Sequence, residues 1–180
     1  MKRRLDISLL CLLAFFACDP RPSRQPDAVL VVDRAQIQVH FSPEGSPTAA
    51  VVDAVDGARS SVLVQAYVFT SAPIAEALRR AHRRGVNVQV ILDKSQLDYR
   101  YTVATFLRNA GIPVYIDRKH AIAHNKVMVI DDRITITGSF NFTRAGEERN
   151  SENLLVITDE AIARLYRENW DSCRGHSEKY

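Results

Sequence analysis

The run Ala123-His124-Asn125-Lys126-Val127-Met128-Val129-Ile130-Asp131, followed by Gly138-Ser139-Phe140-Asn141, decides how this chain is read. Side chains two apart on a strand share a face, so His124 and Lys126 project together, as do Ser139 and Asn141. Residues 126–130 and 134–137 flank Asp131-Asp132-Arg133, the pattern of a hairpin. If that hairpin pairs the two strands, all four polar side chains converge at one end of a sheet. Val127, Val129, Ile130, Ile134, Ile136 and Phe140 surround them. Polar groups among such neighbours are costly unless they are satisfied or functional.

Working outward, residues 36–41 alternate polar and apolar and predict a strand. Residues 42–47 form a turn, and Val51, Val52, Val55 and Ala58 predict a helix over 49–58. Residues 62–69 predict a buried strand. Ser71 as cap and Pro73 in the first turn open a helix that buries Ile74, Ala77, Leu78 and Ala81 and ends at Gly85. A strand over 86–92, a helix over 102–110 stopped by Gly111 and a short strand over 113–116 follow. This alternation predicts an α/β domain with a mixed, largely parallel central sheet and helices on both faces. Beyond the hairpin come a strand over 153–157 and a closing helix over 161–170, with Ile162, Leu165, Tyr166 and Trp170 as its buried face. No internal repeat is evident, so the polar motif occurs once per chain.

His124-x-Lys126, four residues, Asp131, six residues and Gly138-Ser139-x-Asn141 reproduce without a gap the signature of the phospholipase D superfamily. The likeness extends through Phe41-Ser42-Pro43, Tyr67-x-Phe69-Thr70, Arg84-Gly85-Val86, Phe142-Thr143 and Asn150-Ser151-Glu152-Asn153. It covers nearly all of the chain beyond the N-terminal segment, and is closest to the small single-motif, Nuc-type bacterial endonucleases.

The resemblance implies a phosphodiesterase with His124 as nucleophile and a phosphohistidine intermediate. Lys126, Asn141 and Ser139 would stabilise charge on the non-bridging oxygens. Glu152 matches the position whose carboxylate orients the catalytic imidazole. Two-step displacement calls for a second histidine as acid, and one motif supplies one. The resemblance therefore implies a homodimer with the site at its two-fold axis. It implies no metal and no cofactor. Asp131 at the hairpin turn and Gly138 are motif residues with structural roles.

Other stretches bear on substrate and location. Arg118 and Lys119, with His120, precede the motif and are candidates for guiding a polyanionic substrate. Arg79, Arg80, Arg83 and Arg84 read first as a solvated helix face, with a phosphate footprint as the alternative. The formal charge is +3, but without Lys2, Arg3, Arg4 and Asp6 it falls to +1, so bulk basicity does not argue for nucleic acid. Those residues open a segment built like an export signal. A positive start precedes an apolar run over 7–17, too short to span a membrane. We expect a signal peptide at 1–17, a linker at 18–34 and the catalytic domain at 35–180. Ala17-Cys18 resembles a lipidation site, with Asp19 resembling an inner-membrane retention residue; plain cleavage after Ala17 is the other route. The expected location is exported: periplasmic, lipid-anchored through Cys18, or secreted. Only Cys173 then remains in the domain, which excludes a disulfide framework. No Cys/His cluster has zinc-ligand spacing along the chain, and His40, His82 and His176 carry no signal.

Three functions fit. The first is a metal-independent endonuclease of low sequence preference acting on DNA or RNA. The second keeps the site and acts on phospholipid headgroups. The third is a non-catalytic nucleic-acid-binding module, disfavoured because every motif residue is intact.

Overall fold

The computed structural model describes residues 35–97 and 103–180. The signal, linker and Cys18 expectations lie outside these residues. The elements run β1 (Gln36–Ser42), α1 (Pro47–Asp56), β2 (Ser61–Ala66), α2 (Ala72–Arg83), β3 (Asn87–Asp93), a 3-10 turn (Lys94–Leu97), α3 (Val103–Asn109), β4 (Val114–Asp117), β5 (Lys126–Ile130), β6 (Ile134–Gly138), α4 (Arg144–Glu148), β7 (Glu152–Thr158), α5 (Glu160–His176) and β8 (Glu178–Lys179).

The strands form one mixed sheet in the order β1-β7-β6-β5-β2-β3-β4-β8. The α/β class holds, but the expectation that the sheet is largely parallel needs correction. Parallel pairing is confined to β2–β3 and β3–β4, and every other neighbouring pair is antiparallel. The cause is the connections. Helical crossovers join β2 to β3 and β3 to β4, as parallel neighbours require, whereas β5 and β6 are joined by a tight turn. That turn has positive φ at both Asp131 and Asp132, and Arg133 N–H donates to the Ile130 carbonyl at 3.0 Å. β5 then lies antiparallel to β2, with Ala66 opposite Lys126.

Alternate residues of the central strands feed two cores. Val62, Val64, Ala66, Met128 and Ile130 join α1, α2 and α3 in the larger one. Leu63, Val127 and Val129 face α5. On α5 the buried line is Ala163, Trp170 and Cys173, with Tyr166 beside it, while Ile162 and Leu165 are only half-buried. The sequence reading stopped this helix at 170 and so misplaced its buried face. The helix continues to His176, and the 163-166-170-173 spacing is the one that meets the sheet. Predicted burial of Ile74, Ala77, Leu78 and Ala81 on α2 is observed. Of that helix's arginines, Arg79 pairs with Glu76, Arg80 holds Asp56 through two bonds, and Arg84 donates to the Val55 and Ala58 carbonyls. Arg80 and Arg84 tie α2 to the end of α1, while the Arg79 pair stays within α2. None of the described helices is long and apolar enough to cross a membrane.

Candidate active site

The motif side chains gather at one end of the sheet. Tyr67 follows the C-terminal end of β2 and Ser139 that of β6, while His124 precedes β5 and Glu152 opens β7. Asp93 and Asp117, at the ends of β3 and β4, border the same rim. Crevices at the carboxyl ends of parallel strands are where α/β sheets bind ligands.

His124 arrives on a loop held from below. Asp93, almost fully buried, accepts the Ala123 N–H at 2.7 Å and the Ser95 N–H at 2.9 Å. Lys94 donates to the His120 carbonyl at 3.0 Å. Tyr67 N–H donates to the Asn125 carbonyl at 2.9 Å, extending the β2–β5 ladder past its last strand residue. The imidazole is exposed, and its ring centroid lies 4.6 Å from that of Tyr67. Lys126 lies beneath it, with 7% of its surface accessible. Its Nζ donates to the His124 carbonyl at 2.9 Å and stands 5.1 Å from the Tyr67 ring centre, a cation–π contact. Burial pushes the Lys126 pKa below that of an ordinary lysine, and the negative charge of Glu152 only partly offsets this.

Ser139 and Glu152 form the second half of the cluster. Ser139 Oγ donates to Glu152 at 2.6 Å and accepts from Asn153 N–H at 3.1 Å. The other Glu152 oxygen accepts from Asn150 at 3.0 Å. Within one chain the carboxylate is thus bound to Ser139 and Asn150. Gly138 permits this approach. Its φ is +151°, and an added Cβ would lie 2.3 Å from the Asn153 carbonyl oxygen, which also accepts from Ser139 N–H and Phe140 N–H. Asn141 lies in sequence between Phe140 and Phe142, whose buried rings pack edge to face, and Phe69 bridges to Phe142. Its Oδ1 is buried and has no hydrogen-bond partner among the described residues. A buried polar atom in that state calls for a function, and an amide kept for a ligand is one.

Asp131 is elsewhere. It lies at the opposite end of β5, a strand length of roughly 17 Å from the cluster. Its carboxylate accepts the backbone N–H groups of Arg59, Ser60 and Ser61 and the Ser60 hydroxyl. Burial acts to raise its pKa, but these donors together outweigh burial and hold the carboxyl below its usual range. It fastens the turn before β2 to the hairpin. Arg118 pairs with Glu178 on β8 at 2.9 Å, and Lys119 is exposed. Tyr67 and Asp93 were not singled out from sequence as site residues. The signal for Tyr67 was its place just past a buried strand destined to pair with the motif strand.

Residues 51–174 match the family described as cardiolipin synthase, PLD-like domain. The chain is 40% identical over 139 residues to a phospholipase D of Rickettsia conorii, covering 77% of this chain and 70% of that one. It is 31% identical over 138 residues to human mitochondrial cardiolipin hydrolase, covering 72% of this chain and 55% of that one. The crystal structure of Nuc from Salmonella typhimurium, a phospholipase D family member, superposes with a TM-score of 0.78 at 37% identity, covering 82% of this chain and 99% of that one. The matched region holds the whole His124–Asn141 motif and Glu152, so the chain belongs to the phospholipase D superfamily and is a phosphodiesterase.

Proposed function

We propose that this phosphodiesterase is a metal-independent endonuclease of low sequence preference, working as a homodimer with one site shared between two copies. One observation carries the reading: the exposed imidazole of His124 stands over a buried lysine at an open sheet end, in a chain with one motif. His124 attacks phosphorus, the ester P–O bond breaks, and the leaving alkoxide takes a proton from His124 of the partner subunit. Water then attacks the phosphohistidine and yields its proton to that second imidazole. Lys126 supplies positive charge and Asn141 an amide N–H donor to the non-bridging oxygens. Glu152, held by Ser139 and Asn150 and not bonded to its own His124, uses a remaining lone pair to orient the imidazole of the other copy.

The sheet edge supports pairing of two copies. Ile37, Val39 and Phe41 are each more than half exposed and share one face of β1. Phe41 is opposite Asn153 and Ser42 opposite Glu152, so this apolar strip runs up to the catalytic rim. Burying it against a second copy would bring two rims together. The expected export and anchoring through Cys18 would place this dimer at a membrane surface facing the periplasm.

A second reading, hydrolysis of phospholipid headgroups, is favoured by the exposed Ile122 beside His124 and by the names of the lipid-acting relatives. The two separate in one experiment. Purified protein is given plasmid, RNA and anionic liposomes, with EDTA, at a temperature where circular dichroism shows it folded. We expect nicking of nucleic acid that persists in chelator and vanishes in His124→Asn. Headgroup release without nicking would select the second reading, and strict dependence on added magnesium would overturn the mechanism. Wild-type protein reassorted with excess His124→Asn should lose activity through mixed dimers.

A further inference from the structure

Away from the catalytic cluster the fold gathers four side chains from two distant segments. Asp117 ends β4, and His120 follows it by one turn of loop. Cys173 and His176, three residues apart on one face of α5, come over the sheet to meet them. Asp117 Oδ2 lies 2.8 Å from His120 Nδ1 and 3.3 Å from His176 Nε2. One ligand atom each from Asp117, Cys173 and His176 lies within 4.8 Å of the others. The two imidazoles stand edge to face with centroids 5.1 Å apart. Asp117 is wholly buried, Cys173 is buried, and the His176 side chain is 20% exposed.

We propose that Asp117, His120, Cys173 and His176 form a binding site for one zinc ion, separate from the catalytic centre. The donor set is one carboxylate, two imidazoles and one thiol, all established zinc ligands, and their number closes a tetrahedral site. Tetrahedral zinc at about 2.0–2.3 Å from each donor spaces the donors by roughly 3.5 Å. The Asp117–His176 separation of 3.3 Å is close to that, the sulfur, within 4.8 Å of those two, closes in, and His120, now 2.8 Å from the Asp117 carboxylate, moves apart from it to take the fourth position. Charge also balances. On binding, the Cys173 thiol releases its proton to solvent, both imidazoles bind neutral, and thiolate plus carboxylate cancel the ion's two charges. A neutral unit suits a buried position, whereas a carboxylate alone there needs both imidazoles as donors. An Asp117 carboxylate hydrogen-bonded to both imidazoles accounts for three of the four groups, and the zinc site adds a ligand role to Cys173, which also packs in the core under α5.

The location gives the site a role. β4 is three strands from β5 in the sheet, about 14 Å from the catalytic lysine's strand. The ion would staple the last turn of α5 to the loop over 118–125 that delivers His124. The segments joined lie 59 residues apart in sequence. The sequence reading missed the site because neither Asp-x-x-His nor Cys-x-x-His alone has the spacing of a zinc motif.

The test uses the full chain, untagged, with Cys11→Ser and Cys18→Ser so that Cys173 is the single thiol. After chelator treatment it is titrated with cobalt and then with zinc. We expect one equivalent of cobalt with a thiolate charge-transfer band in the near ultraviolet, displaced by zinc. The band should vanish in Cys173→Ser, affinity should fall at least tenfold in His176→Gln and in the exposed His120→Gln, and His124→Asn should bind normally. Zinc in hundredfold excess over its dissociation constant should raise Tm by on the order of 5 °C. A folded parent protein with no thiolate band, or a band unchanged in Cys173→Ser, overturns the site. Loss of binding in His124→Asn would assign the ion to the catalytic centre instead and equally overturn it.

Discussion

The ring of Tyr67 lies against the ring of His124, 4.6 Å between centroids, while the same ring takes the Lys126 ammonium at 5.1 Å. One aromatic side chain just past β2 thus sets the position of His124, just before β5, and of Lys126, the first residue of β5. Tyr67→Ala should lower kcat ten- to hundredfold, since small displacements of reacting groups have effects of that size. Tyr67→Phe keeps the ring and should stay within a few-fold of wild type. Steady-state kinetics on a soluble phosphodiester checks both.

Lys126 should govern the alkaline limit of activity. Its pKa lies below the ordinary lysine value of 10.5 because the ammonium is buried. Activity should therefore decline with rising pH at a point below 10.5, as the charge that faces the phosphate is lost. Lys126→Arg should move that limb upward while lowering kcat, and Lys126→Ala should cost about 10²–10³-fold. A kcat/KM profile over alkaline pH decides.

Asp131 should stabilise the fold without touching the chemistry. Asp131→Asn should cost about 2 kcal/mol at neutral pH by weakening four charge-assisted hydrogen bonds. The sign follows from its depressed pKa. The contribution is present in full above the unfolded value of about 3.9 and is lost as pH falls through the lower folded value. Denaturant melts of the two proteins should thus converge in acid, with kcat near wild type at neutral pH.

Gly138→Ala should damage both stability and turnover. The new Cβ meets the Asn153 carbonyl oxygen at 2.3 Å, and φ of +151° strains any other residue. We expect a loss of roughly 1–3 kcal/mol and a fall in kcat, because Ser139 and Phe140 hang from that same carbonyl. Thermal melts and kinetics on the purified variant measure the two effects.

Much of this was legible along the chain because the relevant contacts are local. The motif hairpin, its turn at Asp131-Asp132 and the buried stripe of α2 each follow from patterns within a dozen residues. The strand pairing was less legible. Whether β5 sits beside β2 or beyond β4 depends on which apolar faces meet, and single-chain periodicity does not encode neighbours. The same limit hid Tyr67, whose partners are 57 and 59 residues away by number, and the Asp117–His176 cluster. The closing helix was misread because its apolar positions are sparse and Cys173 did not register as part of a buried face.

The antiparallel seam between β2 and β5 has a consequence for how such a protein tolerates change. Lys126 shares its face with Met128 and Ile130, while Val127 and Val129 point toward α5. Deleting one residue within β5 would turn the ammonium under α5 and strand two valines on the wrong side. Insertions in the loop over 118–125, by contrast, leave the register of residues 126–130 intact but disturb the backbone bonds at Ala123 and Asn125 that hold the imidazole in place. Length variation among natural sequences should therefore be absent from the seam and from the pinned residues just before it, which makes indel tolerance a map of where catalysis is anchored.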